Sequence, residues 1–126
     1  MPGRGRASSG GMNISEVTYA AGTPVEGYGP GFWRVGGREW RGGVLVLPSG
    51  PVAWSGEAAP ITAAAPLIDV LLLGTGAEIA HPDPALRDAV EAAGIGIEVM
   101  ASAQAARTFN VLLGEGRRVA CALLPL

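Results

Sequence analysis

The sequence predicts an α/β domain, and three observations carry that reading. In the N-terminal half, short apolar runs flank tight-turn residues: "GFWRV" and "REW" surround Gly36-Gly37, and "VLVL" and "VAW" surround "PSGP". In the C-terminal half, apolar runs alternate with amphipathic segments in the order strand, helix, strand, helix, strand. Connections of that order are right-handed crossovers and build a largely parallel core sheet. The length, 126 residues with 48% hydrophobic residues, fits one domain that buries its core without staples. The expected organisation is a disordered tail over 1–12 and a single α/β domain over 13–126.

Each element has its own local cause. Gly36-Gly37 supplies the two positive φ values that a two-residue hairpin turn requires. Pro48, Ser49, Gly50 and Pro51 make a second turn by fixed φ and small side chains. Trp33, Trp40 and Trp54 are expected on the apolar face of these hairpins, as core rather than as a stacking platform. "APLIDVLLLG" is nearly continuous in apolar residues, the pattern of a strand buried on both faces. "HPDPALRDAVEAAG" reads as a helix with Asp83 as cap, Pro84 in the first turn and Gly94 as the stop. Its buried stripe is Ala85, Leu86, Ala89, Val90 and Ala93, and Arg87 stands four residues from both Asp83 and Glu91 on the wet face. "IGIEVM" is a short strand, "SAQAARTFNVLLGEG" a second helix capped by Ser102, and "RRVACALLPL" the last strand.

Composition removes several classes of function. A net charge of -2 offers no basic field, so nucleic acid is not an expected partner. All nine cationic residues are Arg, which excludes a Schiff-base or P-loop lysine. Cys121 is the lone cysteine and His81 the lone histidine, so neither an internal disulfide nor a Cys/His zinc site is expected. The free thiol fits a reducing compartment, and a cytoplasmic location is expected. No run reaches the roughly 18 apolar residues of a spanning helix, so direct membrane insertion is not expected. "MPGRGRASSGG" lacks an apolar signal core, and Met12 offers an alternative start.

The second helix poses the functional question. Arg107, Thr108 and Asn110 interrupt a segment that is otherwise apolar around most of its circumference. Arg107 and Asn110 share one stripe with Ala103 and Gly114. Two readings follow. In one, Arg107 pairs with Asp69 or Glu115 and Asn110 bonds backbone, a structural network. In the other, guanidinium and amide line a pocket, beside Thr75, for an anion or a partner's carboxylate. Gly74-Thr75-Gly76 ends the central strand, where open α/β sheets bind ligands, but a dinucleotide fingerprint fails because Ile79 occupies its third glycine position. His81 precedes Pro82 in a loop, and no G-x-S-x-G elbow accompanies it.

"LLLGTGAEI", "LRDAVEAAGIGIEVM" and above all "AARTFNVLLGEGRRVACALL" carry a resemblance. The chain resembles, from about Ile14 to Leu124, a family of unknown molecular function. That family includes the mitochondrial complex I assembly factor three (NADH dehydrogenase alpha subcomplex) and the adipogenesis-associated domain protein. The resemblance implies a three-layer α/β fold, with a central mixed, mostly parallel sheet and an added N-terminal antiparallel β-hairpin layer. It implies no cofactor and no catalytic residues. The family's recurrent polar positions fall on Gly74, Thr75, Gly76, Arg107, Thr108, Asn110, Glu115 and Arg117. Ala101 and Ser102 replace the family's Asp-Thr, Ala106 its cysteine and Phe109 its tyrosine, so a thiol at position 106 is no part of any mechanism here. The resulting expectation is a non-enzymatic accessory or assembly protein that engages a protein partner, a membrane-associated respiratory complex. The alternative is a small-molecule or anion-binding protein, or an enzyme, using Thr75, Arg107 and Asn110.

Overall fold

The computed structural model describes residues 22–126, so the tail expected over 1–12 lies outside the described residues. Among the described residues eight strands form two sheets. β1 (Val25–Gly29), β2 (Phe32–Val35) and β3 (Arg38–Arg41) make a three-stranded antiparallel sheet in that order. β4 (Val44–Leu47), β5 (Gly50–Ala53), β6 (Val70–Gly74), β7 (Gly96–Met100) and β8 (Val119–Leu123) make the central sheet, ordered β5-β4-β8-β6-β7. The helices are α1 (Ala59–Thr62), α2 (Pro84–Ala92) and α3 (Ser102–Gly114), with a 3-10 turn at Ala65–Leu67.

The central sheet is mixed. β8, β6 and β7 run parallel, and the β4–β5 hairpin joins β8 antiparallel. The three-layer α/β class holds, and the added layer carries one strand more than a hairpin. That strand, β1, was hidden in "VEGYG", where two glycines dilute the alternation. The first expected turn is present, with Gly36 and Gly37 at φ 65° and 77°. The second is shorter than "PSGP": Leu47 pairs with Gly50, which leaves Pro48-Ser49 as the turn.

Two apolar clusters sandwich the central sheet. Val25, Trp33 and Val35 of the small sheet and Ala105, Ala106, Phe109 and Leu113 of α3 cover one face. Ile61, Ile68, Leu86 and Val90 cover the other, against Leu45, Leu71, Leu73 and Ala120. The tryptophans therefore do not share one face. Trp33 and Trp40 pair across β2 and β3, whereas Trp54 packs on the opposite side with α1 and α2. The two hairpins look alike locally, but only the first leaves the central sheet. The buried Trp33 indole N–H finds no partner among the described residues.

Helix punctuation follows the residues closely. Asp83 accepts a bond from the Ala85 N–H at 3.1 Å, and Gly94 turns the chain at φ 83°. Arg87 meets Glu91 at 3.5 Å on the exposed face. Leu86 and Val90 are the buried centre of the expected stripe, while Ala85 lies exposed. Cys121 is fully buried in β8, and burial pushes its thiol up, out of the range where a reactive thiolate forms.

Candidate functional site

The carboxyl ends of β6 and β7 are where the sequence places a site. The chain leaves β6 toward α2 on one face of the sheet and leaves β7 toward α3 on the other. Such a divergence opens a crevice in nucleotide-binding sheets. Here the chain itself closes it. Ser102, fully buried, accepts from the Gly76 N–H at 2.8 Å and donates to the Leu124 carbonyl at 2.8 Å. The Ser102 N–H donates to the Gly76 carbonyl at 2.8 Å, and the Thr75 N–H to the Met100 carbonyl at 3.0 Å. Ser102 is therefore not the side-chain cap expected of it. Ala101 holds the N-cap position of α3, and the Ser102 hydroxyl stitches three segments together.

Gly74 has a packing reason. A Cβ built on it would lie 2.6 Å from Ser102 Cα and 2.7 Å from Ser102 Oγ. Thr75 is spent in its own turn. Its hydroxyl accepts from the Ala80 N–H at 2.9 Å and donates to the Glu78 carbonyl at 3.1 Å, with the Met100 carbonyl at 3.4 Å. Below this turn a hollow of about 360 Å³ has an apolar floor of Trp54, Leu73, Leu86 and Leu124. Ser55, Thr75, His81 and Asp83 stand on its wall. Sequence reasoning missed Ser55 and Trp54 there, because they come from a distant strand end that no local pattern brings close. Ser55 is itself tied to Glu57: its backbone N–H and its hydroxyl each donate to the carboxylate at 2.9 Å, and these bonds, the backbone one foremost, hold the Glu57 carboxyl below the usual carboxylate range.

Asn110 and Arg107 lie elsewhere, in a shallow groove between α3 and β1. The groove, about 190 Å³, is walled by Val25, Glu26, Tyr28, Ala106, Arg107 and Asn110. Both amide atoms of Asn110 bond one residue: the Val25 N–H donates to Oδ1 at 2.8 Å, and Nδ2 donates to the Val25 carbonyl at 2.8 Å. The side chain thus imitates a neighbouring strand at the edge of β1. Asn110→Ala is expected to destabilise by about 1–3 kcal/mol, two bonds' worth. Amide exchange at β1 should rise first, which hydrogen-exchange mass spectrometry would detect; unchanged protection at Val25 would refute the role.

Arg107 is exposed, contrary to the enclosed position expected of it. The polar stripe of α3 runs along its solvent boundary, so the guanidinium reaches water without burial. Neither expected carboxylate holds it. Asp69 instead takes Arg118 at 3.3 Å, an exposed pair of little energetic weight. The structure brings Gly74, Thr75 and Gly76 together, and separately Arg107 with Asn110. Thr75 and Arg107 line different hollows. Thr108 is half-buried on α3, and Glu115 and Arg117 are exposed beyond its end. Among the described residues no group of three His, Cys, Asp or Glu side chains is placed to hold a metal ion.

Fold and site together define a class: a three-layer α/β scaffold whose interior polar side chains fasten backbone. The chain belongs to the family of proteins of unknown function DUF498/DUF598, whose model matches residues 25–124. A protein of Rhodobacter capsulatus described as uncharacterised is 46% identical over 117 residues, 91% of this chain and 94% of that protein. NADH dehydrogenase [ubiquinone] 1 alpha subcomplex assembly factor 3 of Danio rerio is 31% identical over 123 residues, 90% of this chain and 71% of its own. Among solved structures, a Bartonella henselae protein described as an outer membrane protein matches with TM-score 0.75 and 32% identity, over 82% of this chain and 94% of that one. A Bordetella pertussis Mth938-like domain matches with TM-score 0.71 and 27% identity, over 91% and 92%. The resemblance read from the C-terminal motif is thereby shown. Among the described residues no helix is long and apolar enough to cross a membrane.

Proposed function

We propose that this chain is a non-enzymatic accessory protein of the assembly-factor kind. It engages a protein partner, a subunit of a membrane-associated respiratory complex, from the cytoplasmic side. The observation that carries the reading is the alignment of 90% of the chain with a protein named as a complex I assembly factor. The groove between α3 and β1 is the contact we assign. At about 190 Å³ it is smaller than the 300–1,000 Å³ typical of small-molecule sites. Its rim carries Tyr28, 44% exposed, and Arg107, which has no ion pair among the described residues. Tyrosine and arginine are the side chains that most often dominate protein interfaces. In this reading Asn110 fixes the groove's shape, Gly74, Thr75 and Gly76 hold the start of α3, and Thr108, Glu115 and Arg117 extend the contact along its length. The separation of Thr75 from Arg107 favours this reading over a shared anion pocket.

Affinity capture of the full chain from detergent-solubilised membranes, read by mass spectrometry, tests it. A respiratory-complex subunit should be enriched with the wild type and fall about fivefold or more with Arg107→Ala. The variant's stability should stay within about 0.5 kcal/mol, since an exposed side chain with no ion pair among the described residues is removed. Recovery of no such subunit, or equal recovery with the variant, overturns the proposal.

A further inference from the structure

Among the described residues the two sheets present four edge strands: β1, β3, β5 and β7. An edge strand offers unpaired peptide groups and normally carries a device against pairing with other chains. Three of the four carry one. The Asn110 amide occupies both peptide groups of Val25 on β1, next to a bulge at Glu26. β3 holds three charged residues in four, Arg38, Glu39 and Arg41. β5 holds Pro51, which lacks a donor. β7, with sequence "GIEVM", has the single charge of Glu98. Among the described residues no strand pairs with its outer side.

A second feature adjoins that edge. A hollow of about 320 Å³ lies beside β7, lined by Ile79, Pro82, His81, Arg87 and Val99. Ile79 is 65% exposed there, a large apolar side chain left facing water. Ile97 and Val99 pack toward the α2 side, and Met100 toward the α3 side. By strand alternation Glu98 shares the α3 side, and the hollow belongs to the α2 side.

We propose that β7 is a docking edge. It takes an extended segment of a protein partner as a sixth strand of the central sheet, with a basic residue opposite Glu98 and an apolar residue in the Ile79–Val99 hollow. This rests on the reading of the chain as a partner-binding protein and names a second contact for it. Strand addition of this kind draws affinity from main-chain bonds and specificity from alternate side chains. Charge selects the occupant. Two copies of β7 paired about a two-fold axis at Glu98 would face carboxylate with carboxylate, which is unfavourable, and β7 has no cation to offset it. A segment with Arg or Lys at that position gains the cross-strand pair instead.

A peptide probe tests the edge without the natural partner. The isotopically labelled full chain is titrated with a capped octapeptide of alternating valine and threonine bearing one central arginine, and followed by amide NMR and hydrogen exchange. Shifts and slowed exchange are expected at 96–100 and 79–82. Replacing the peptide's arginine with glutamate should weaken binding roughly three- to tenfold, and Glu98→Arg in the protein should reverse that preference. Absence of shifts at millimolar peptide overturns the proposal, as do shifts centred on β3 or β5. Protection of β7 that grows with protein concentration alone also overturns it and assigns the edge to a second copy. If the peptide fails while membrane capture still depends on Arg107, only the edge proposal falls. If the peptide binds and capture fails, the respiratory-complex reading falls.

Discussion

Gly74→Val is expected to destabilise the protein by about 3–5 kcal/mol, combining overpacking with loss of buried hydrogen bonds. The reason is distance. The position where a Cβ would stand is already 2.6 Å from the Cα and 2.7 Å from the hydroxyl of Ser102, the first residue of α3. That contact is backbone, so a rotamer change cannot relieve it. Either α3 moves off the sheet or β6 moves out of its ladder, and both motions pull Ser102 from Gly76 and Leu124. The buried Gly76 N–H would then lack an acceptor. Gly74→Ala should give a smaller loss of the same kind, and Ser102→Ala should remove the stitch without the clash. Chemical denaturation of the three variants checks the order, Gly74→Val the most damaging. A glycine kept open for ligand approach would instead tolerate valine in the absence of ligand, with a change below about 1 kcal/mol.

The same residues explain what was legible in the sequence. "GTG" after an apolar strand announced a close approach, but not what approached; the answer, Ser102, stands 28 positions further along the chain. The helices were legible because Asp83, Pro84 and Gly94 act within a few residues of themselves. The Gly36-Gly37 turn was legible for the same reason. Strand order was not, because "VLVL" and "FWRV" look alike and their partners are decided far away: β4 lies against β8, and β2 lies against β1 and β3. α1 escaped notice because its four residues include Pro60 and show no helical period. On α3 the wheel identified a narrow polar stripe, and the structure places it at the border of the buried face. The border position distinguishes Asn110, which reaches Val25, from Arg107, which reaches water. Thr75, in the turn after β6, lines the hollow on the α2 side of the central sheet with Trp54, Leu73 and Leu86, whereas Arg107 lines the groove on the α3 side with Val25 and Ala106. That separation follows from how α3 sits on the sheet, which periodicity alone does not specify.

Phe109→Ala carries the other large expected effect, about 3–5 kcal/mol. Phe109 is fully buried in the middle of α3. Its cluster joins Val25, Trp33 and Val35 of the small sheet to Val44, Leu72, Val119 and Cys121 of the central sheet. No other side chain of α3 in that cluster is aromatic, since its neighbours are Ala105, Ala106 and Leu113. Two alanines beside it cannot fill a cavity left by the ring, so little relaxation offsets the loss. A fall in melting temperature of roughly 10–20 °C follows for a domain of this size. The small sheet should loosen before the central sheet, because its inner face depends on α3 and the Asn110 bonds, whereas β6 and β8 also pair with other strands. Hydrogen exchange would show this as early loss of protection over 25–41 with protection retained over 70–74 and 119–123. Uniform loss across both sheets would mean that the small sheet is no separate unit. Capture of the partner then becomes a sensitive gauge. With the α3–β1 groove as the contact, Phe109→Ala should weaken capture below its melting temperature, because the groove's β1 wall moves with the loosened sheet. Capture at wild-type strength despite early exchange at 25–41 would exclude that wall from the contact.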